Sequence, residues 1–153
     1  MSEDIQQGSK KDYCLPMHTV EHILNQTMVR KYACSRSVNA HIEKKKSKCD
    51  YLLQRAPTSE EIVEIEDQVN RIIDSDLKVS VRYVPIEEAG NVADLSRLPE
   101  DQKCENVRLV FIGDYDVCAC IGPHVESTKE IGRFKILNHE FENGRWRMRF
   151  KLV

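Results

Sequence analysis

Two short stretches carry residue types that could do chemistry together: His18-Thr-Val-Glu-His22 and Cys120-Ile-Gly-Pro-His124. Residues four apart on a helix share a face, with Cβ atoms about 5–6 Å apart, so His18 and His22 can offer two imidazoles to one ion. In the second stretch Cys120 ends a strand and Gly122-Pro123 turns the chain, which lets His124 come back beside the thiol. One cysteine and three histidines make a soft, nitrogen-rich donor set that suits zinc better than calcium or magnesium. Cys118 points the same way along the strand as Cys120 and is either a substitute donor or a small packed residue. Each stretch alone also reads as an ordinary packed or surface pair. Their joint presence in a chain with five histidines is what favours a shared site.

These residues must be held by a fold. Leu15, Val20, Ile23, Leu24, Met28 and Tyr32 recur mostly at three- and four-residue steps, which predicts a helix from Leu15 to about Tyr32, with Pro16 in its first turn. Short strands are expected near Ser37–Glu43 and Lys48–Gln54, with Lys44–Lys46 at the turn. A second helix begins at Thr58 or Ser59, where Glu61 completes a capping box, and carries the apolar stripe Ile62, Ile65, Val69, Ile72 and Ile73. Leu77–Val84 alternates as a half-buried strand does. Residues 85–104 read as a long connection with a helical turn around Ile86–Ala89. Strands follow at Val107–Ile112, Val117–Ile121, Ile131–Leu137 and Arg145–Leu152, the last two joined by the hairpin signal Asn143-Gly144. The expected fold class is α+β, a single domain with a mainly antiparallel sheet packed against helices. Residues 1–12 read as a flexible N-terminal arm and 13–153 as the domain.

The two motifs, in this order, resemble the editing (second additional) domain of alanyl- and threonyl-tRNA synthetases and the free-standing AlaX-type trans-editing proteins. Cys120-Ile-Gly-Pro-His-Val-Glu-Ser-Thr-Lys-Glu-Ile-Gly-Arg-Phe-Lys-Ile136 is similar to the family's Cys-Gly-Gly-Thr-His-Val, Thr-Gly-Glu-Ile-Gly and Phe-Lys-Ile pattern. His18-Thr-Val-Glu-His22-Ile-Leu24 is similar to its His-x-x-x-His-Leu-Leu helix. Ile121 and Pro123 stand where the alanyl branch has Gly and Thr, so Gly-Pro-His-Val is closer to the threonyl branch, whose corresponding site acts without zinc. The length matches the short AlaX form, without the N-terminal barrel of longer forms. The resemblance implies hydrolysis of mischarged aminoacyl-tRNA, seryl-tRNA(Ala) or seryl-tRNA(Thr) in type. By position it implies His18, His22, Cys120 and His124 as zinc ligands and catalytic residues, and Thr19 as the contact to the substrate side chain.

Composition sets the outer bounds. The chain has 153 residues, 41% hydrophobic and 31% charged, enough for one core under a charged surface. No stretch approaches the roughly 20 apolar residues that span a bilayer, and the first residues have no apolar signal region. A cytoplasmic protein is expected, in which the six cysteines stay as thiols. Residues 30–55 hold eight Lys or Arg and 133–151 hold six, whereas 58–76 hold seven acids and only Arg71. That polarity suits a tRNA acceptor end, with Lys44, Lys45, Lys46 and Arg133 as candidate phosphate contacts. It is also what an ordinary solvated surface offers. Two other functions compete. His18-Thr-Val-Glu21-His22 matches the His-x-x-Glu-His zinc-protease signature, which needs a further acidic ligand, for which Glu60, Glu61, Glu64 and Glu66 are available. A non-catalytic, zinc-stabilised tRNA-binding module would instead close its metal shell and leave no cavity beside it.

Overall fold

The computed structural model describes residues 14–153 apart from Arg97 and Cys104, and of Gln102 the backbone alone. The expected N-terminal arm, residues 1–12, lies outside the described residues. The first helix, α1 (Leu15–Tyr32), runs over the predicted span, with Pro16 in its first turn and Ala33 closing it in the left-handed region. It is the central element, burying Met17, Val20, Ile23, Leu24 and Met28 together with the polar Thr19, His22, Asn25 and Thr27. A helix that buries polar groups must satisfy them, and other segments meet Asn25 and Thr27.

The chain then forms β1 (Asn39–His41), β2 (Ser47–Leu52), α2 (Ser59–Asp74), β3 (Val79–Pro85), α3 (Ile86–Val92), β4 (Asn106–Ile112), β5 (Asp116–Ala119), β6 (Phe134–Glu142) and β7 (Arg145–Leu152). Two antiparallel sheets result, one in the order β1-β2-β7-β6 and one in the order β3-β4-β5. The expected α+β class is observed. The Thr58 capping box forms as read, and Ile65, Val69, Ile72 and Ile73 are buried. Asn143 and Gly144 both take positive φ, which the tight turn between β6 and β7 requires.

The main core lies between α1, α2 and one face of the four-stranded sheet. Along β7 Trp146, Met148 and Phe150 are fully buried, while Arg145, Arg147 and Arg149 alternate onto the other face. Asp50 of β2, paired in register with Arg147, accepts hydrogen bonds from both Arg145 and Arg147 at 2.8–2.9 Å.

Two expectations need correction. The apolar members of the alternating segment Leu77–Val84 do not share a buried face, because Val81 and Tyr83 are 43% and 68% exposed while Val84 is buried. The reason is α3, which returns against β3 and β4. There Val84, Ala89, Leu98, Val107 and Leu109 form a second apolar cluster. The helical turn expected at Ile86–Ala89 extends to Val92 as α3, and with a 3₁₀ turn at Glu100–Gln102 the described part of residues 85–104 is more ordered than the expected connection.

The Asp50 pair gives the fold an acid limit. Hydrogen bonds from Arg147, then Arg145, outweigh burial and hold the Asp50 carboxyl down at about 2, from an ordinary 3.8. A depressed carboxylate contributes stability that is complete above its unfolded value and lost as pH falls through the folded one. Melting temperature should therefore drop between about pH 4 and pH 2, and Asp50→Asn should flatten that slope while lowering stability at neutral pH. An unchanged acid slope in the variant would remove Asp50 from the account.

Candidate metal centre

The corner that follows β5 and the middle of α1 meet. His22, Cys120 and His124 place one donor atom each within 4.8 Å of one another. The two imidazole rings stand edge to face, with centroids 4.6 Å apart. His124 Nε2 lies 3.4 Å from Cys120 Sγ, so the predicted return of the chain at Gly122-Pro123 is real. His18 stands one turn before His22 and lies outside that close trio. It is near enough that its charge would act on both His22 and His124. Cys118 is half-buried and also outside the trio, and burial pushes its thiol up to about 12.

The hydroxyl of Thr19 determines which nitrogen of His124 faces the thiol. Thr19 Oγ1 donates its single proton to Leu15 O at 2.8 Å and accepts from the Val125 N–H at 3.2 Å. Its contact with His124 Nδ1 at 3.2 Å must then be one in which Nδ1–H donates. Nε2 is left with its lone pair toward Cys120. Thr19 itself is fully buried, so it reaches the site through His124. Sequence reasoning placed Thr19 at the site but had no signal for this contact.

Three residues that the sequence did not single out hold the two halves together. Arg108 of β4 donates to Cys120 O at 2.6 Å and Gly122 O at 2.9 Å, clamping the corner from below. Asp116, at the start of β5 and buried, accepts from Arg36 at 2.9 and 3.2 Å and from Gln26 of α1 at 2.8 Å. Next to it, Tyr115 takes a hydrogen bond from Arg30 on its carbonyl and shares one with Thr27 on its hydroxyl. None of these has a motif spacing, because each acts across the fold rather than along the chain.

Burial sets the protonation states at this site. Burial, with Arg36 and His18 adding to it, lowers His22 to about 3. Burial and the neighbouring His22, Arg108 and His18 lower His124 to about 2, and burial lowers His18 to about 4. All three imidazoles are thus neutral at pH 7, the form that binds a metal. Burial raises the Cys120 thiol, so it holds its proton until an ion replaces it. The neutral nitrogens and one sulfur in close convergence fit zinc.

A cleft of about 360 Å³ opens beside this centre. Among the described residues it is lined by His22 and Cys120 with Glu21, Asn25, Arg36, Asp94 and Ser96. Three of the four α2 carboxylates that a protease site would draw on are engaged elsewhere. Glu61 binds Arg55 and its own helix cap, Glu64 pairs with Lys31, and Glu66 accepts from the Ile136 N–H.

Comparison with known proteins agrees with this geometry. The family described as "Threonyl and Alanyl tRNA synthetase second additional domain" matches residues 107–147, which include Cys120 and His124. This chain resembles an AlaX-type editing domain. It is 32% identical over 136 residues to the alanine–tRNA ligase of Mycoplasmoides gallisepticum, covering 86% of the chain and 15% of that relative. It is likewise 32% identical over 146 residues to that of Treponema denticola, covering 88% of the chain and 23% of that relative. The alanyl-tRNA editing protein AlaX-M of Saccharolobus solfataricus is 30% identical over 126 residues, 81% of the chain and 52% of that protein. The chain thus spans about half of this editing protein and a small part of the ligases. Among the described residues no helix is long and apolar enough to cross a membrane.

The role of Thr19 is testable. Thr19→Val removes the acceptor for His124 Nδ1–H and should lower zinc affinity roughly 10- to 100-fold, as loss of a ligand's hydrogen-bond partner commonly does. Thr19→Ser keeps the hydroxyl and should restore most of it. Equal affinity for all three proteins, measured by competition with a chromophoric chelator, would exclude this contact as a support of the site.

Proposed function

We propose that this chain hydrolyses the ester joining a wrong amino acid to the 3′ end of tRNA, acting on seryl-tRNA(Ala) or seryl-tRNA(Thr). The observation that carries the reading is the convergence of His22, Cys120 and His124 beside an open cleft, in a chain similar to an alanyl-tRNA editing protein. The cleft favours a catalytic site over a closed structural shell. The alanyl relatives favour the alanyl member of the two tRNAs.

The proposed ligands are His18, His22, Cys120 and His124, with His18 brought in from the same face of α1. Zinc bound there would supply a fixed positive charge able to orient the substrate or polarise a water. The rest of the work belongs to the protein. The cleft holds the aminoacyl end, with Glu21, Asn25, Asp94 and Ser96 offering polar partners to its amino and hydroxyl groups. An aminoacyl ester is already activated, so placing it against a water supplies much of what the reaction needs. Attack of water on the carbonyl breaks the bond to the ribose oxygen, which takes up a proton, and releases the free amino acid. Thr19, which holds His124, tunes the same site to a serine-like side chain from behind the ligand.

The tRNA backbone needs cations. Lys44, Lys45 and Lys46 are exposed in the turn joining β1 to β2, and the outer face of the same sheet carries Arg145, Arg147 and Arg149. Arg133, also exposed, pairs with Asp74 at 2.8 Å. These are the proposed phosphate contacts.

Three outcomes are expected. The protein should release serine from seryl-tRNA(Ala) or seryl-tRNA(Thr) and not from an unrelated correctly charged control. Cys120→Ala or a strong chelator should cut the rate by at least about 100-fold. Full activity in Cys120→Ala would take the thiol out of the mechanism. Reversing Lys44–Lys46 to Glu should raise KM several-fold, most at low salt, with little change in kcat. Unchanged KM would move the tRNA contact to another surface.

A further inference from the structure

We propose that Asp116 is a positioning residue for the metal centre, fixing His22 with its proton on Nδ1 so that Nε2 turns toward Cys120 and His124. The inference rests on the zinc reading of that centre. Among the described residues, the buried His22 Nδ1 has no hydrogen-bond partner. A buried ring nitrogen without a partner is costly, and so marks a place where a contact is completed in the working state. The carboxylate oxygen facing it is Asp116 Oδ2, at 3.8 Å. A shift of roughly 1 Å brings the pair to hydrogen-bond distance.

Asp116 is built to stay in place while His22 adjusts. Its side chain is fully buried, and Arg36 grips both of its oxygens. Gln26, one turn after His22 on α1, donates to Oδ1. The anchor begins in the turn before it. Gly113 takes φ +51° and sits against Leu77, where an added Cβ would meet side-chain atoms at 3.1–3.2 Å. Asp116 then pairs with Ile112 across the β4–β5 hairpin. Arg36 neutralises the carboxylate's charge, so what Asp116 offers His22 is chiefly an acceptor of fixed direction. Thr19 does the equivalent for His124 with a neutral hydroxyl. Both ligating rings are thus directed by a group on the side away from the ion, one on α1 and one on β5. Metal-bound histidines commonly need such a partner, and its loss typically costs 10- to 100-fold in affinity.

Two measurements test this. Zinc affinity, read by competition with a chromophoric chelator, should fall by about 10- to 100-fold in Asp116→Asn. In the zinc-loaded unaltered protein, NMR of ¹⁵N-labelled histidines should place the His22 proton on Nδ1. The second readout decides even where D116N fails to fold. Unchanged affinity in a folded D116N, or a His22 proton on Nε2, would overturn the role of Asp116 alone. Unaltered protein that takes up no zinc would overturn the metal reading and this inference with it.

Discussion

A single buried hydroxyl joins two stretches of chain that are 105 positions apart. Thr19 Oγ1 accepts from the Val125 backbone and meets His124 Nδ1, while its own proton goes back to α1 at Leu15. Everything chemical in this molecule depends on that junction, because His22 rides on one side of it and Cys120 with His124 on the other. The hydroxyl cannot do this alone. A tight hairpin brings Asp116 and Tyr115 against α1, and Arg108 holds the corner carbonyls. The main core, with Trp146, Met148 and Phe150 against the helices, supplies the rigid backing.

Burial at this junction has an electrostatic result. Removing imidazoles from water disfavours their charged forms, and the nearby Arg36 and Arg108 add to the effect on His22 and His124. The imidazoles are therefore neutral donors and the thiol keeps its proton, the states from which a metal ion is bound with release of the thiol proton. Charge elsewhere is segregated. The arginines of β7 lie on the sheet face away from the core, and the acidic residues of α2 lie on the solvent side of that helix.

Much of this was legible in the chain because it is local. The span of α1, the Thr58 capping box and the Asn143-Gly144 hairpin each follow from chemistry within a few residues, and so does the return of His124 to Cys120. What failed was decided by distant packing. Val81 and Tyr83 alternate as core residues do, yet α3 covers the face that carries Val84 and leaves them in water. Pro85, Gly90 and Pro99 interrupt the periodicity of residues 85–104, so only the first turn of α3 was read and its small core was missed. At the site, the converging His22, Cys120 and His124 were visible by spacing. Arg36, Arg108 and Asp116 were not, since an isolated charged residue in a sequence carries no sign of what it will face.

The central claim is that α1 and the corner after β5 supply donors to one ion. Zinc K-edge X-ray absorption on the purified protein tests it directly. The predicted spectrum has one sulfur at about 2.3 Å with nitrogen neighbours at about 2.0–2.1 Å. A shell of light atoms without sulfur, in protein that carries zinc, would contradict it.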